Sequence, residues 1–242
     1  MKVLVIIDNI IQYERVKHVF KKTNLSDVST DFYHSPIKSK IWEHPDFLDQ
    51  DKMLDVKNDA DSIIENYDLV ISIHCFQFFP AKLVNSVRCI NIHPGYNPIN
   101  RGWYPQVFAI IDDLPIGATI HEMDEKLDNG PIIARAFVDK YKWDTSFTIY
   151  NRVLDKEIEL FQEYFEAIIM GTYEPTPPED TGNIYRKRDF EALCEIDLNQ
   201  KGDFNQFFDR LRALSHGDYK NAFFYDEETG KKVYFKLSIE IE

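Results

Sequence analysis

Asn91, His93 and Asp128 are the residues whose types and spacing could carry a reaction. Asn91-Ile92-His93-Pro94 closes an apolar run, and Asp128 stands directly ahead of Asn129-Gly130. Acyl transfer to an amine needs a donor for the oxyanion, a base for the amine proton, and a group that keeps the base oriented or protonated. Asn91 offers an amide donor that cannot titrate, His93 an imidazole tunable near neutral pH, and Asp128 a carboxylate. Two residues apart on an extended segment, Asn91 and His93 point to the same side. Spacing alone leaves other readings open. Asn-x-His at a strand end also serves as a capped turn, and an aspartate before Asn-Gly is an ordinary turn residue.

The elements that must position these residues follow from periodicity. Val3–Ile7 is a continuous apolar run ending in Asp8-Asn9, and a helical pattern follows through Ile11, Val16, Val19 and Phe20. Strand then helix predicts an α/β doubly wound sheet. Val28–His34 alternates as a half-buried strand, and residues 35 to 55 read as irregular, broken by Pro36 and Pro45. A short helix over Ala60–Glu65, a strand over Leu69–Ile73, a helix opened by Pro80 and a strand over Arg88–Ile92 come next. That last strand delivers Asn91 and His93 to its carboxyl end, where ligands bind in open α/β sheets. The loop from His93 to Tyr104 is therefore the prime site candidate.

Ile116–Met123 and Pro131–Val138 predict two more strands. Asp144-Thr145 caps the longest helix, which runs to about Met170 with an apolar stripe of Ile149, Val153, Ile158, Phe161, Phe165 and Ile168. Pro175, Pro177 and Pro178 mark a boundary, so residues 1–172 read as a catalytic domain and 173–242 as a small C-terminal extension. That extension predicts a helix over Phe204–Leu214 and a hairpin of Ala222–Asp226 with Lys232–Leu237.

The motifs around the three residues carry a resemblance. Asn91-Ile92-His93-Pro94, then Gly117-Ala118-Thr119-Ile120-His121, then Leu127-Asp128-Asn129-Gly130-Pro131-Ile132-Ile133 resemble, in order and spacing, the signature of the folate-dependent formyltransferases. That family includes glycinamide ribonucleotide transformylase, methionyl-tRNA formyltransferase and the nucleotide-sugar N-formyltransferases. The resemblance implies a Rossmann-like doubly wound mixed sheet and 10-formyltetrahydrofolate as formyl donor. It implies catalytic roles for Asn91, His93 and Asp128, with Asn91 and His93 holding the oxyanion and Asp128 orienting His93. It also implies a folate site at Cys75, Phe76, Gln77 and Phe78 and at Met123, Asp124 and Leu127. Phenylalanines suit the faces of a flat pterin, although ordinary core packing accounts for Phe76 and Phe78 equally well. No G-x-G-x-x-G follows the first strand, which argues against a dinucleotide cofactor.

Charge narrows the acceptor. The formal net charge is −13, and from Tyr173 onward ten Lys/Arg stand against fifteen Asp/Glu, which opposes tRNA, other nucleic acid or an anionic membrane as partner. Asn97-Pro98-Ile99-Asn100-Arg101-Gly102-Trp103-Tyr104 and the tail from Arg212 to Tyr225 resemble the nucleotide-sugar enzymes, most closely the group acting on dTDP-linked amino-dideoxy sugars. By that resemblance Asn9, Trp103 and Tyr104 lie near the sugar or its diphosphate, and Phe223 and Tyr225 stack on the thymine, although hairpin packing accounts for these two rings equally well. Arg101 pairs either with the diphosphate or with Asp112 or Asp113 nearby. The expected acceptor is dTDP-4-amino-4,6-dideoxyglucose, for surface glycan or O-antigen assembly. Glycinamide ribonucleotide formylation and 10-formyltetrahydrofolate hydrolysis are the alternatives.

Three cysteines and the absence of an apolar span of membrane length fit a cytoplasmic chain without disulfides. The C-terminal extension is expected to build a homodimer. Seven scattered histidines, none with metal-ligand spacing, predict no metal; His121, alternating within a strand, reads as a core or supporting residue.

Overall fold

The first apolar run forms β1 (Lys2–Ile7), whose residues Val3 to Ile7 are all fully buried. A strand covered on both faces must lie inside a sheet with helices above and below it. The computed structural model describes residues 1–23, 27–48, 52–180 and 182–242. In chain order, α1 (Ile10–Lys22), β2 (Ser29–Tyr33), two 3-10 turns (Lys40–Glu43 and Pro45–Phe47), α2 (Ala60–Asn66) and β3 (Leu69–Ile73) follow β1. Then come α3 (Ala81–Val84), β4 (Arg88–His93), β5 (Arg101–Gly102), α4 (Pro105–Ile111), β6 (Ile116–Glu122), β7 (Ile132–Val138) and α5 (Ser146–Met170). The chain ends with β8 (Ile184–Tyr185), α6 (Lys187–Cys194), α7 (Phe204–Leu214), β9 (Phe223–Tyr225) and β10 (Lys232–Tyr234).

The main sheet has the order β2-β1-β3-β4-β6-β7. The first four strands are parallel, while β6 and β7 run antiparallel, so the α/β mixed sheet expected from sequence is present. The chain moves from β1 outward to β2, then returns to place β3 on the other side of β1. That reversal opens a crevice beyond the carboxyl ends of β1, β3 and β4, the usual ligand position in such sheets.

Helices cover both faces. On one, Val3, Val5, Ile7, Ile71 and Ile90 meet α1, α4 and α5; on the other, Leu4, Ile6 and Val70 meet Ala60 and Ile63 of α2 and Leu83 of α3. α5 starts at a capping box in which Thr145 and Thr148 exchange side-chain bonds with each other's backbone. Its buried stripe includes Ile149, Val153, Phe161, Phe165 and Ile168, each contributing about 1.5–3 kcal/mol by leaving water.

Residues 35–55, expected to be irregular, contain the two 3-10 turns; residues 49–51 of that stretch lie outside the described residues. α5 ends at Gly171, which adopts φ 69, beside the expected domain boundary. The following segment is joined back to the sheet: Thr176 bridges Ile132, and β8 pairs in parallel with β5. β9 and β10 form a separate two-stranded hairpin, shorter than the strands expected there. Among the described residues no helix is long and apolar enough to cross a membrane.

Candidate active site

β4 carries Asn91 and His93 to its carboxyl end, and the loop before β7 brings Asp128 against them. Asp128 sits at φ 46, the left-handed region that aspartate tolerates better than most residues. Asn91 Nδ2 donates to Asp128 Oδ1 at 3.1 Å, and the Gly102 amide donates to Oδ2 at 3.0 Å. His93 Nδ1 lies 3.6 Å from Asp128 Oδ2, beyond direct hydrogen-bond range. Burial alone would push the Asp128 carboxyl up. The nearby imidazoles of His93 and His121 and the Gly102 amide outweigh it and hold the group well below the usual carboxylate range. Asp128 is therefore an anion at neutral pH.

Partners settle the imidazole tautomers. His93 Nε2 lies 2.8 Å from the Asn100 carbonyl, which can only accept, so Nε2 carries the hydrogen and the neutral ring keeps its lone pair on Nδ1. His121 Nδ1 faces the Glu122 carbonyl at 2.7 Å, which leaves its Nε2 to accept from Asn91 Nδ2 at 3.3 Å. Both hydrogens of the Asn91 amide thus have acceptors, Asp128 and His121.

The loop after β4 is fastened tightly. Thr119, fully buried on β6, donates to the Gly95 carbonyl and accepts from the Asn97 amide, while Asn97 Nδ2 donates to the Asp128 carbonyl. A side chain at Gly95 would meet Asn100 O and His93 Nε2 at 2.5 Å, so only glycine lets the loop fold onto the imidazole.

Asn91, His93, His121 and Asp128 open into a cavity of about 740 Å³ at the carboxyl ends of β1, β3 and β4. Its lining includes Cys75, Phe76, Gln77, Phe78, Met123, Asp124 and Leu127, all seven of the expected folate residues. Phe76 and Phe78 are not core residues: they are 38% and 59% exposed, and Leu127 is 36% exposed. Phe76 lies parallel to Trp103 at 5.9 Å. A flat aromatic ligand would cover such exposed apolar surface, so this lining fits a pterin. The same cavity is bordered by Asn9, Trp103 and Tyr104, with Lys38, Lys40, His74, Tyr150, His216 and Tyr219.

Three expected contacts lie elsewhere. Arg101 is only 4% exposed and turns away from the cavity to donate to Asn129 Oδ1 at 2.7 Å, because pairing with β8 buries its strand. It meets neither Asp112 nor Asp113. Phe223 belongs to a small cluster with Cys194, Leu214 and Ala222, beneath Lys232, whose Nζ lies 3.5 Å from the ring centroid. Tyr225 is 51% exposed on the hairpin. Neither ring borders the cavity, because backbone pairing of Phe223 with Glu195 and Ile196 docks the hairpin on the connection after α6.

Sequence reading passed over several residues of the site. His121 had a usable signal, since the antiparallel register sets it directly opposite Asn91. His74, Tyr150 and His216 had none, being isolated in separate segments. The described His, Asp and Glu groups that approach a metal-like arrangement, Glu14, His44 and Asp46, are remote from the cavity residues, and Asp46 is already paired with Lys17 and Tyr13.

Known proteins resemble the chain along most of its length. Residues 8–165 match the family described as Formyl transferase, and residues 189–241 match the N-formyltransferase dimerization C-terminal domain. A dTDP-4-amino-4,6-dideoxyglucose formyltransferase of Mycobacterium tuberculosis is 50% identical over 188 residues, covering 78% of this chain and 80% of the relative. A sugar N-formyltransferase from a Shewanella species superimposes with TM-score 0.93 at 38% identity, covering 100% of this chain and 99% of its own. A 4-N formyltransferase from Francisella tularensis does so with TM-score 0.92 at 40% identity, covering 100% and 98%.

Proposed function

Because this chain belongs to the formyl transferase family, we propose that it moves the formyl group of 10-formyltetrahydrofolate onto the 4-amino group of dTDP-4-amino-4,6-dideoxyglucose. The observation that carries this acceptor is the 50% identity to the mycobacterial relative of that name. The cavity that Asn91, His93 and Asp128 border supports it: we assign its exposed apolar lining, Phe76, Phe78 and Leu127, as the arm for the folate and its polar lining as the arm for the sugar.

Bound in the apolar arm, the folate supplies an activated formyl carbon. The protein's part is to bind, orient and move a proton. Asn91 Nδ2 is the donor for the formyl oxygen, which takes the place of His121 Nε2, the longer of its two present partners. A donor fixed in advance costs no reorganisation as charge builds on that oxygen. The amine proton has one route onto His93. Asn100 occupies the Nε2 side, so Nδ1 receives the proton, Asp128 at 3.6 Å stabilises the resulting imidazolium, and His93 then gives the proton to the folate nitrogen released as its bond to the formyl carbon breaks. Asp128 remains ionised and itself keeps Asn91 and the Gly102 amide in place.

Finer points belong to the same reading. Residues 1–172 form the catalytic domain and 173–242 the extension that pairs two copies, in line with the dimerization family that residues 189–241 match. A dTDP-linked amino sugar is made and used in the cytoplasm for surface glycan or O-antigen assembly, and the chain works there. Within the polar arm, Asn9, Trp103 and Tyr104 are the contacts for the sugar and its diphosphate.

The test is a comparison of acceptors. With 10-formyltetrahydrofolate present, the amino sugar nucleotide should yield its formamido product, detected by mass. Turnover on glycinamide ribonucleotide instead, or release of formate alone, would replace this reading by one of its alternatives.

A further inference from the structure

A second polar assembly borders the same cavity as the Asn91–His93–Asp128 set, and of its members formyl transfer as derived above uses only Asn9. Glu157, on the buried stripe of α5, is fully buried. It accepts from Gln12 Nε2 at 2.6 Å and from His74 Nε2 at 3.0 and 2.8 Å. A carboxylate lying among apolar neighbours such as Val153, Leu160 and Phe161 persists only where such donors hold it.

Glu157 is the acceptor, so His74 Nε2 bears the hydrogen, and with the ring neutral Nδ1 keeps the lone pair. Tyr150 Oη lies 3.2 Å from that Nδ1 and gives it the one phenolic proton. Asn9 Nδ2 donates to Tyr150 Oη at 2.9 Å, while Asn9 Oδ1 is occupied by the Ile11 and Gln12 amides at the start of α1. Toward the cavity, Tyr150 can therefore only accept, and Asn9 can only donate through its second amide hydrogen. Both residues border the cavity.

His74 also sits at φ 51, a left-handed conformation uncommon for a residue other than glycine. That conformation lets the ring at the end of β3 reach Glu157 on one side and Tyr150 on the other.

We propose that Asn9 and Tyr150 form a hydroxyl-recognition pair for the hexose of the acceptor, and that His74 and Glu157 are the positioning residues that set its polarity. A sugar hydroxyl both accepts and donates, so it matches an adjacent pure donor and pure acceptor; an amine in its ammonium form, with no lone pair, does not. The pair thus selects a hydroxylated ring and leaves the reacting amine to the Asn91 side. This assignment rests on the amino-sugar reading above.

Steady-state kinetics with dTDP-4-amino-4,6-dideoxyglucose and saturating 10-formyltetrahydrofolate test it. Tyr150→Phe keeps the ring and removes only the acceptor oxygen. It should raise KM for the sugar nucleotide about tenfold, as loss of one hydrogen bond does, with kcat and the KM for the formyl donor within about twofold. His74→Asn, which retains tolerance of the left-handed backbone, and Glu157→Gln should move the same KM in the same direction. An acceptor analogue lacking the ring hydroxyls should be penalised by the native enzyme and not further by Tyr150→Phe. Unchanged KM in Tyr150→Phe, a fall in kcat alone, or an equal deoxy penalty in both proteins would overturn the assignment while leaving the proposed reaction intact. A native enzyme that fails to formylate this acceptor would overturn both.

Discussion

The Asn91 amide nitrogen and the Asp128 carboxylate oxygen meet at 3.1 Å, although the residues are 37 apart in the chain. The strand end and the loop before β7 therefore act as one unit, and replacing either partner disturbs the other. Asn91→Ala removes the donor proposed for the oxyanion and should lower kcat by about 10²–10³, the usual loss for one such donor. The KM for the sugar nucleotide should change little. Single-turnover formyl transfer measures the step directly.

His93→Ala should lower kcat by about 10²–10⁴, the range for a general acid–base group, with little effect on affinity for dTDP. Calorimetric titration of dTDP into the variant separates binding from chemistry. A variant that retained full turnover would remove His93 from the proton path.

Asp128 links stability to pH with a definite sign. Its folded pKa lies below the unfolded value of about 3.9, because the imidazoles of His93 and His121 and the Gly102 amide outweigh the cost of burial. The unfolded state then binds the proton more readily, so the contribution is complete above about pH 4 and is lost as pH falls through the folded value. Thermal unfolding should show Asp128→Asn less stable than the native chain at pH 7. The gap should narrow below about pH 4.

His216 works in a different window. Burial pushes its pKa from an ordinary value of 6.5 down to about 4, beside Tyr150 and Phe147 and with Nδ1 3.1 Å from Ser146 Oγ. The folded state favours the neutral ring, so stability from this group is present above about pH 6.5 and falls as pH drops toward about 4. His216→Gln should match the native melting midpoint near neutral pH and become the more stable of the two by pH 5.

Gly102 joins the C-terminal segment to the Asp128 carboxylate. It adopts φ 91, and a Cβ there would lie 2.2 Å from the Tyr185 carbonyl of β8. Gly102→Ala should force β5 and β8 apart and draw the Gly102 amide from Asp128, costing on the order of 1–3 kcal/mol of stability. Differential scanning fluorimetry and kcat should fall together in this variant, whereas a substitution on the exposed hairpin, Tyr225→Ala, should leave kcat untouched.

β1 and β3 were legible as short, largely apolar runs and β2 by its alternation, and α5 because its buried stripe spans seven turns between Thr145 and Gly171. Asn91 and His93 were legible from their shared side and their place at the end of β4. α4 was not: Pro-Gln-Val-Phe-Ala-Ile-Ile is apolar almost throughout, and periodicity cannot tell such a run from a strand. α6 lacked the usual serine, threonine, aspartate or asparagine ahead of it, since Asp189 within the helix caps the Arg186 amide instead. Phe223 and Tyr225 were placed on the base by the resemblance of the tail, yet the docking of a hairpin depends on backbone pairing with a distant connection, which residue types do not record. The His74–Glu157 pair was equally hidden, because the partners are 83 residues apart and each alone has an ordinary explanation.

Transfer of a labelled formyl carbon tests the central claim most directly. The native chain, mixed with 10-formyltetrahydrofolate carrying carbon-13 in the formyl group and with dTDP-4-amino-4,6-dideoxyglucose, should place the label in a sugar formamide. Asn91→Ala and Asp128→Asn should slow its appearance by at least about a hundredfold. Label found only in formate, or a formamide formed at the native rate by both variants, would contradict the account.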